Sequence, residues 1–222
     1  MSSKVSKTAT KKPVILITAG PTREHIDPVR FISNHSTGRF GYEIAAVAKN
    51  RGYRVVLVSG PTCIKPPRGI KLIRVESSLD MLRAVRNEAR RADCVIMAAA
   101  VSDWRPRTVS MRKIKRASNK KALELIENPD ILKRLGRMKG GRILVGFALE
   151  TEDLEKNAAK KLKDKNLDII VANRMSRKNN IFGDNIIDAV MIDRFGNKTN
   201  LGGKSKRGLA KIILDKVESL NI

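Results

Sequence analysis

The sequence is poor in the residue types from which many enzyme and nucleic-acid-binding signatures are built. Only 4% of its 222 residues are aromatic, and it contains two cysteines and two histidines. Cys63 and Cys94 lie far apart, without a CxxC pair or a histidine cluster, so neither a disulfide framework nor a zinc site is indicated. Few aromatic rings also mean few platforms on which nucleic-acid bases stack.

Long apolar runs are absent as well. No segment reaches the ~18 apolar residues that a membrane helix needs, and the basic N-terminus lacks the apolar core of a signal peptide. We therefore expect a cytoplasmic protein without a membrane partner. Because 41% of the residues are hydrophobic, the chain can bury a sizeable core. We predict a disordered basic tail at residues 1–12 and a single domain over residues 13–222.

Acidic residues are too few to balance the basic ones. The chain has 46 lysines and arginines against 22 acidic residues, a formal net charge of +24. Nearly all of this excess lies in four windows: residues 1–12, 103–121, 156–178 and 198–216. Such clustering is typical of a surface that binds an anion, either a nucleoside triphosphate or a nucleic-acid backbone. Lysine-rich helices exposed to solvent explain it equally well.

What the chain does have is a regular alternation of apolar runs and amphipathic segments. Strands are predicted at 14–18, 55–58, 71–75, 93–100, 123–126, 143–147 and 168–172. Helices are predicted at 39–51, 79–91, 152–165 and 205–220, with another begun by Asn128-Pro129-Asp130 and Pro129 at its first position. Residues 20–36, with two prolines and no period, are predicted to form a long loop. Residues 186–195 alternate and precede a Gly196-Asn197 turn.

This alternation favours one fold class. Continuous apolar strands separated by helices predict an α/β fold, a Rossmann-like doubly wound and mainly parallel sheet with helices on both faces. The segment 186–195 predicts an antiparallel strand or hairpin arm near the C-terminus. Ligands of such sheets bind beyond the carboxyl ends of the strands.

The common nucleotide and hydrolase signatures are missing. No GxGxxG follows the first strand, and Gly203-Lys204-Ser205 lacks the leading glycine of a P-loop. No GxSxG elbow and no HExxH motif occurs. These absences disfavour a nicotinamide oxidoreductase, a P-loop NTPase and the standard hydrolases.

The first loop carries one candidate site, TAGPTREHIDPVRFISNHSTGRFGYE at residues 18–43. Gly20 and Gly38 permit close backbone approach, and Ser36 and Gly38 lie at a predicted helix N-terminus, where free amides and the helix dipole suit an anion. The amide of Asn34 has the groups to hold a carboxylate or its activated ester. The alternative is an ordinary loop with a helix cap.

Two further constellations follow predicted strands. In AAAVSDW, residues 98–104, small side chains leave room for a base or ribose, and Asp103 is a candidate acceptor for ribose hydroxyls. The motif KIKR at 113–116 offers positive charge to neutralise phosphates. GFALET, residues 146–151, precedes Lys161 and Lys165, which lie one helical turn apart. That pair is either a triphosphate clamp or a solvent-exposed face.

Together the motifs TAGPTRE, DPVRFISN, AAAVSDW, KIKR, ENPDIL, GFALET and VANR resemble the phosphopantothenate-cysteine ligase family, also called phosphopantothenoylcysteine synthetase, from about residue 13 to 220. The bacterial, CTP-dependent synthetase domain is the most similar form, here without the decarboxylase to which it is often fused. The resemblance implies that CTP activates the carboxylate of 4'-phosphopantothenate as an acyl-cytidylate, releasing pyrophosphate. The amine of L-cysteine then displaces CMP, in coenzyme A biosynthesis.

The resemblance also implies partners and residue roles. It predicts CTP as co-substrate, Mg²⁺ on the triphosphate, a homodimer in which residues 186–195 reach the other subunit, and a separate phosphopantothenoylcysteine decarboxylase; no residue is assigned to a metal. Implied catalytic residues are Asn34, Arg30 and Lys113. Implied nucleotide-binding residues are Met97, Ala98, Ala99, Asp103, Lys113, Pro129, Asp130, Ile131, Leu132, Phe147, Lys161 and Lys165. Implied substrate-binding residues are Gly20, Asn34, Ser36, Gly38 and Ala100.

Departures from the family pattern are small. KIKR stands where KIKK is usual, STGR where SSGK is common, and GFALET where GFAAET is common, which places the bulkier Leu149 beside the site. Two alternatives stay open: a basic nucleic-acid-binding module, disfavoured by the scarcity of aromatics, and a Rossmann-type oxidoreductase. The residues do not decide between CTP and ATP, nor which side chains hold the phosphate of the substrate.

Overall fold

The computed structural model describes residues 12–116, 122–174 and 189–220. In chain order its elements are β1 (Val14–Ala19), β2 (Arg23–His25), β3 (Phe31–Ser33), α1 (Arg39–Asn50), β4 (Arg54–Ser59), β5 (Lys71–Arg74), α2 (Ser78–Ala89), β6 (Cys94–Met97), β7 (Trp104–Pro106), β8 (Leu125–Glu127), α3 (Ile131–Arg137), β9 (Ile143–Glu150), α4 (Leu154–Asp164), β10 (Ile169–Arg174), β11 (Ala189–Asp193), β12 (Lys198–Asn200) and α5 (Lys206–Ser219).

Eight strands form a central sheet in the order β5-β4-β1-β6-β9-β10-β11-β12. The six strands β5, β4, β1, β6, β9 and β10 are parallel to one another, while β11 runs antiparallel to both β10 and β12. The chain moves from β1 toward one edge and then from β6 toward the other. The predicted Rossmann-like, doubly wound sheet is confirmed, and the change of direction between β1 and β6 is the place where such sheets bind ligands.

Helices cover both faces of the sheet because its strands are apolar on both sides. In β1, Ile15 and Ile17 point to the layer that contains α1 and α5, whereas Leu16 points to the layer of α2, α3 and α4. All three side chains are fully buried. A strand buried on both faces needs a continuous apolar run, which is the pattern that residues 14–18 show.

Three expectations about local structure are wrong. Residues 20–36 are not a plain loop, because β2 and β3 form a short antiparallel hairpin there. The strand predicted at 123–126 does not join the central sheet; β8 pairs instead with β7 in a separate two-stranded sheet. Pro129 precedes the helix, because Asp130 is the N-cap of α3 and accepts a hydrogen bond from the Lys133 amide at 2.8 Å.

The predicted antiparallel hairpin near the C-terminus is present, but it is not a projecting arm. Strand β11 is wholly buried and lies between β10 and β12 of the same chain, so its edges are already paired. Residues 186–188 of the predicted arm lie outside the described residues. The division between a tail at 1–12 and a domain at 13–222 stays a prediction. Within the described segments, no helix has the length and apolarity needed to cross a membrane.

Candidate functional site

A cavity of about 390 Å³ opens at the carboxyl ends of β6, β9 and β10, beside the N-termini of α1 and α5. We call it the strand-end cavity. It is lined by Ser36, Thr37, Gly38, Arg39, Phe40, Ala98, Ala99, Ala100, Val101, Asp103, Phe147, Ala148, Leu149, Lys161, Lys165, Asn173, Lys206 and Leu209. Nine of the residues that the sequence assigns to binding therefore line one space: Ser36, Gly38, Ala98, Ala99, Ala100, Asp103, Phe147, Lys161 and Lys165.

The small residues after β6 are fixed against β1. The Ala99 amide donates to the Thr18 hydroxyl at 3.1 Å, and the Ala100 amide donates to the Gly20 carbonyl at 2.9 Å. Because methyl groups are the only side chains along this segment, a flat ring has access to the backbone. Phe147 stands nearby, edge-on to Phe40 with their ring centroids 5.3 Å apart, and gives the cavity an aromatic wall.

Helix α1 directs its N-terminus at the cavity. Its N-cap, Gly38, has φ +80°, and a Cβ there would lie 3.0 Å from the Cα of Gly20, so both the backbone conformation and the close approach require glycine. The Gly38 position supplies no side-chain cap for the first turn. The partial positive charge of a 12-residue helix is therefore directed at the lining of the cavity, where it favours an anion.

Four basic side chains line the same space: Arg39, Lys161, Lys165 and Lys206. Lys161 Nζ lies 2.6 Å from Glu150, and Lys165 Nζ lies 2.9 Å from Asp130. Burial raises the pKa of Asp130, but hydrogen bonds from the Lys133 amide and the Lys165 ammonium outweigh it and leave that pKa below its ordinary value. Lys161 and Lys165 are thus held in place by carboxylates that a polyanionic ligand would compete with.

Lys206 and Asn173 are members of the lining that sequence reasoning did not assign. Lys206 is the first residue of α5, follows the Ser205 N-cap and is only 9% exposed. Asn173 lies near the end of β10, opposite Leu149 of β9, and its buried Oδ1 has no hydrogen-bond partner in the part of the chain that the structure describes. The available signals were the position of Lys206 in the first turn of a predicted helix and that of Asn173 directly after the apolar run 168–172.

A second, wider groove of about 1,200 Å³ adjoins the cavity, since Ser36 and Thr37 line both. Asn34 lines this groove, and its Nδ2 donates to the Ala100 carbonyl at 2.9 Å. That bond joins the first loop to the strand end beside the cavity. Asn34 is therefore placed where a molecule in the groove meets a molecule in the cavity.

Arg30 and Lys113 line neither space. Arg30 is bound by Asp27, and its Nη2 also donates to the Ile114 carbonyl at 3.0 Å. The hydrogen bond from Arg30 is the main reason why the pKa of Asp27 lies well below its usual range. Lys113 is exposed directly beside Ile114. We call Asp27, Arg30, Ser110 and Ile114 the loop cluster.

The remaining predicted site residues lie around the cavity without lining it. Met97 is buried under the strand end, and Ile131 is buried in the core at the start of α3. Pro129 and Leu132 lie on either side of this helix start, and Asp130 between them forms an ion pair with Lys165. Gly20 packs against Gly38. Among the described residues, no three His, Cys, Asp or Glu side chains come together in a way that would hold a metal ion.

Comparison with known proteins identifies the family of the chain. Residues 10–220 match the model of the DNA/pantothenate metabolism flavoprotein C-terminal domain. The coenzyme A biosynthesis bifunctional protein CoaBC of Bacillus subtilis (strain 168) is 44% identical over 208 residues, which are 93% of this chain and 51% of that protein. The chain thus spans about half the length of this relative.

Solved structures give the same assignment at the level of one domain. The crystal structure of the C-terminal domain of a CoaBC protein has a TM-score of 0.81 and 43% identity, and the match covers 94% of this chain and 95% of that one. A Cab2 variant in complex with phosphopantothenate-cysteine has a TM-score of 0.75 at 18% identity, covering 94% and 86% of the two chains, and so shares the fold.

Proposed function

Because the chain belongs to the family of the DNA/pantothenate metabolism flavoprotein C-terminal domain, we propose that it joins 4'-phosphopantothenate to L-cysteine in coenzyme A biosynthesis. In this proposal it consumes CTP and releases pyrophosphate and CMP. The observation that carries the proposal is the strand-end cavity, where a helix N-terminus, four cations and a strand end of small residues meet. These are the parts that a nucleoside triphosphate needs.

The residues that line the cavity suggest how the nucleotide would lie in it. The base and ribose lie along the alanines at 98–100, with Asp103 accepting from ribose hydroxyls and Phe147 as the apolar wall. The triphosphate points toward Arg39, Lys161, Lys165 and Lys206. Glu150 and Asp130 hold two of these lysines before the nucleotide binds, and the phosphate oxygens take over that pairing.

Magnesium accompanies the triphosphate in this proposal. The described residues offer no cluster of three metal ligands, which fits a cation held mainly by phosphate oxygens and water with at most one or two carboxylates. When bound, Mg²⁺ neutralises phosphate charge. The carboxylates paired with Lys161 and Lys165, Glu150 and Asp130, are the residues that would hold it.

The acid substrate occupies the wider groove and enters the cavity at Asn34. Its carboxylate attacks the α-phosphorus of CTP, forms the acyl-cytidylate and releases pyrophosphate; the amine of cysteine then attacks the acyl carbon and CMP leaves. No protein nucleophile is required, and burial raises the pKa of the Cys94 thiol, which makes that thiol a poor one. The chain contributes positioning and countercharge. Lys113 supports the second step by holding the departing phosphate.

We also propose that the active form is a homodimer and that a decarboxylase consumes the product. Light scattering of the purified chain tests the dimer directly. A mass of one chain at micromolar concentration would contradict it.

The central experiment measures pyrophosphate released by the purified chain with phosphopantothenate and each of the four nucleoside triphosphates, with and without cysteine. Among the four nucleotides, we expect only CTP to support release of pyrophosphate. Without cysteine, the amount of pyrophosphate should be close to the enzyme concentration. With cysteine, release should be continuous and matched by an equal amount of CMP. Release that does not need phosphopantothenate would contradict the ligase. Salt-dependent retention of RNA without release of pyrophosphate would favour a nucleic-acid-binding module, and quenching of NADH fluorescence an oxidoreductase.

A further inference from the structure

A carboxylate with no assigned role lies at the centre of the loop cluster. Asp27 is completely buried, although it lies in a turn between two short strands. Its Oδ1 accepts from the Val29 and Arg30 amides, both at 2.9 Å. Its Oδ2 accepts from the Arg30 guanidinium, with Nε at 3.0 Å, and from the Ile114 amide at 3.1 Å. One side chain therefore gathers donors from two distant parts of the chain.

The first loop and the segment after β7 are joined by hydrogen bonds at Ile114. Its amide donates to Asp27, and its carbonyl accepts from Arg30 Nη2 at 3.0 Å, so both backbone polar groups of this residue are taken up by the first loop. A second tie lies four residues earlier, where the Ser110 amide donates to the Ile26 carbonyl at 2.9 Å. These bonds span more than 80 positions of sequence.

The segment that is held in this way has no regular structure of its own. After β7 ends at Pro106, residues 107–116 contain neither helix nor strand. Lys113 and Lys115 flank Ile114 and are exposed. Ile114 is held through both its amide and its carbonyl. The backbone of the adjacent Lys113 is therefore positioned by Asp27 and Arg30, and its exposed side chain extends from there.

We propose that Asp27 is a positioning residue that fixes the segment bearing Lys113, together with Arg30, for the cysteine-dependent step of the ligation. This inference rests on the proposed function. Asp27 lines neither the strand-end cavity nor the wider groove, so it acts through its two partners and does not touch the substrates. The Arg30 guanidinium keeps the pKa of Asp27 far below neutrality, so the carboxylate remains charged at working pH.

The test compares Asp27→Asn with a matched control, Asp193→Asn. Asp193 is also a buried carboxylate; it accepts from the Phe195 and Asn197 amides and from Lys216, but at the far edge of the sheet. Hydrogen exchange at the Ile114 amide is the structural readout, and the two half-reactions are the functional one. Pyrophosphate release without cysteine reports activation, and CMP release with cysteine reports the second step.

We expect Asp27→Asn to speed exchange at Ile114 and to slow the cysteine-dependent step about tenfold or more, while activation changes less than about twofold. Lys113→Gln should give the same selective loss. The double variant Asp27→Asn/Lys113→Gln should be little slower in the cysteine-dependent step than either single variant, because both substitutions remove the same contribution of Lys113. Asp193→Asn should leave exchange at Ile114 and the ratio of the two steps unchanged.

A second variant protects the test against misfolding of the first. Ile114→Pro removes the amide donor from the loop side and leaves the buried carboxylate in place, and we expect it to show the same selective loss. Equal loss of both half-reactions, or fully additive losses in the double variant, would overturn the proposal. If the unaltered chain released no pyrophosphate, the proposed function would fail, and unchanged Ile114 exchange in Asp27→Asn would separately reject the positioning role.

Discussion

The strand-end cavity and the loop cluster are built by different means. The cavity takes its walls from the ends of β6, β9 and β10 and from helix termini, so the backbone ladders and packed core that hold the sheet also hold the site. The loop cluster has no such support: one buried carboxylate, one guanidinium and a few backbone groups tie two irregular segments together. The proposed nucleotide site is therefore built by the fold itself, whereas the placement of Lys113 depends on single side chains.

The largest effect is expected where the cavity depends on close packing. A Cβ on Gly41 would lie 2.5 Å from the Cβ of Ala19 and 2.8 Å from the carbonyl oxygen of Thr18. Gly41→Ala must push α1 away from β1, and we expect a loss of about 3 kcal/mol in the free energy of unfolding, measured in urea. If the proposed function holds, the shift of α1 should also weaken CTP binding, because the N-terminus of α1 lines the cavity proposed for the triphosphate.

The control for this prediction is another helical glycine. In α5, a Cβ on Gly208 would meet the Ser205 hydroxyl at 3.4 Å, an ordinary contact. Gly208→Ala should therefore leave stability unchanged or raise it by up to about 1 kcal/mol through helix propensity. Equal behaviour of the two variants would mean that the approach of α1 to β1 does not support the cavity.

The same contrast explains what the sequence does and does not predict. Apolar runs predict strands such as β1 and β10, and the small residues at 98–100 mark a candidate site at a strand end. The spacing of Lys161 and Lys165 fits a solvent-exposed helix face as well as a triphosphate site, and only the resemblance assigned this pair to the nucleotide. Lys206 and Asn173 reach the cavity only because β10 and α5 lie beside it in the folded sheet. The sequence of one protein does not show that these two elements lie next to the cavity.

The loop cluster was harder to predict for a physical reason. Hairpin β2–β3 has strands of three residues, too short for a hydrophobic period, and a proline lies in its turn. Asp27 and Ile114 lie 87 positions apart in the sequence, and the hydrogen bond between them leaves no local signal. Arg30 and Lys113 were assigned by resemblance, while Asp27, although it begins the DPVRFISN motif, was given no role.

An intermediate effect is expected where the cavity and the groove meet. Asn34→Asp replaces the amide that donates to Ala100 with a carboxylate that repels both this carbonyl and the acid substrate. We expect the KM for phosphopantothenate to rise about ten- to thirtyfold, with the KM for CTP changed less than about threefold. Asn34→Ala separates the two causes, since it loses the hydrogen bond without adding charge. An unchanged KM in Asn34→Asp would remove Asn34 from the acid site.

The smallest effect tests whether the charge of the cavity is specific or general. Lys161 and Lys163 lie on the same helix and carry the same charge, but only Lys161 lines the cavity, while Lys163 is exposed. Because the pair with Glu150 is only partly buried, Lys161→Gln should change stability by no more than about 1 kcal/mol although it breaks that pair. We expect Lys161→Gln to raise the KM for CTP about fivefold and Lys163→Gln to leave it unchanged at 150 mM salt. If both variants raised it equally, the net charge of the chain would attract CTP without a defined triphosphate site. A difference that persists as salt is increased would instead locate the effect at the strand-end cavity, because screening removes distant charges first.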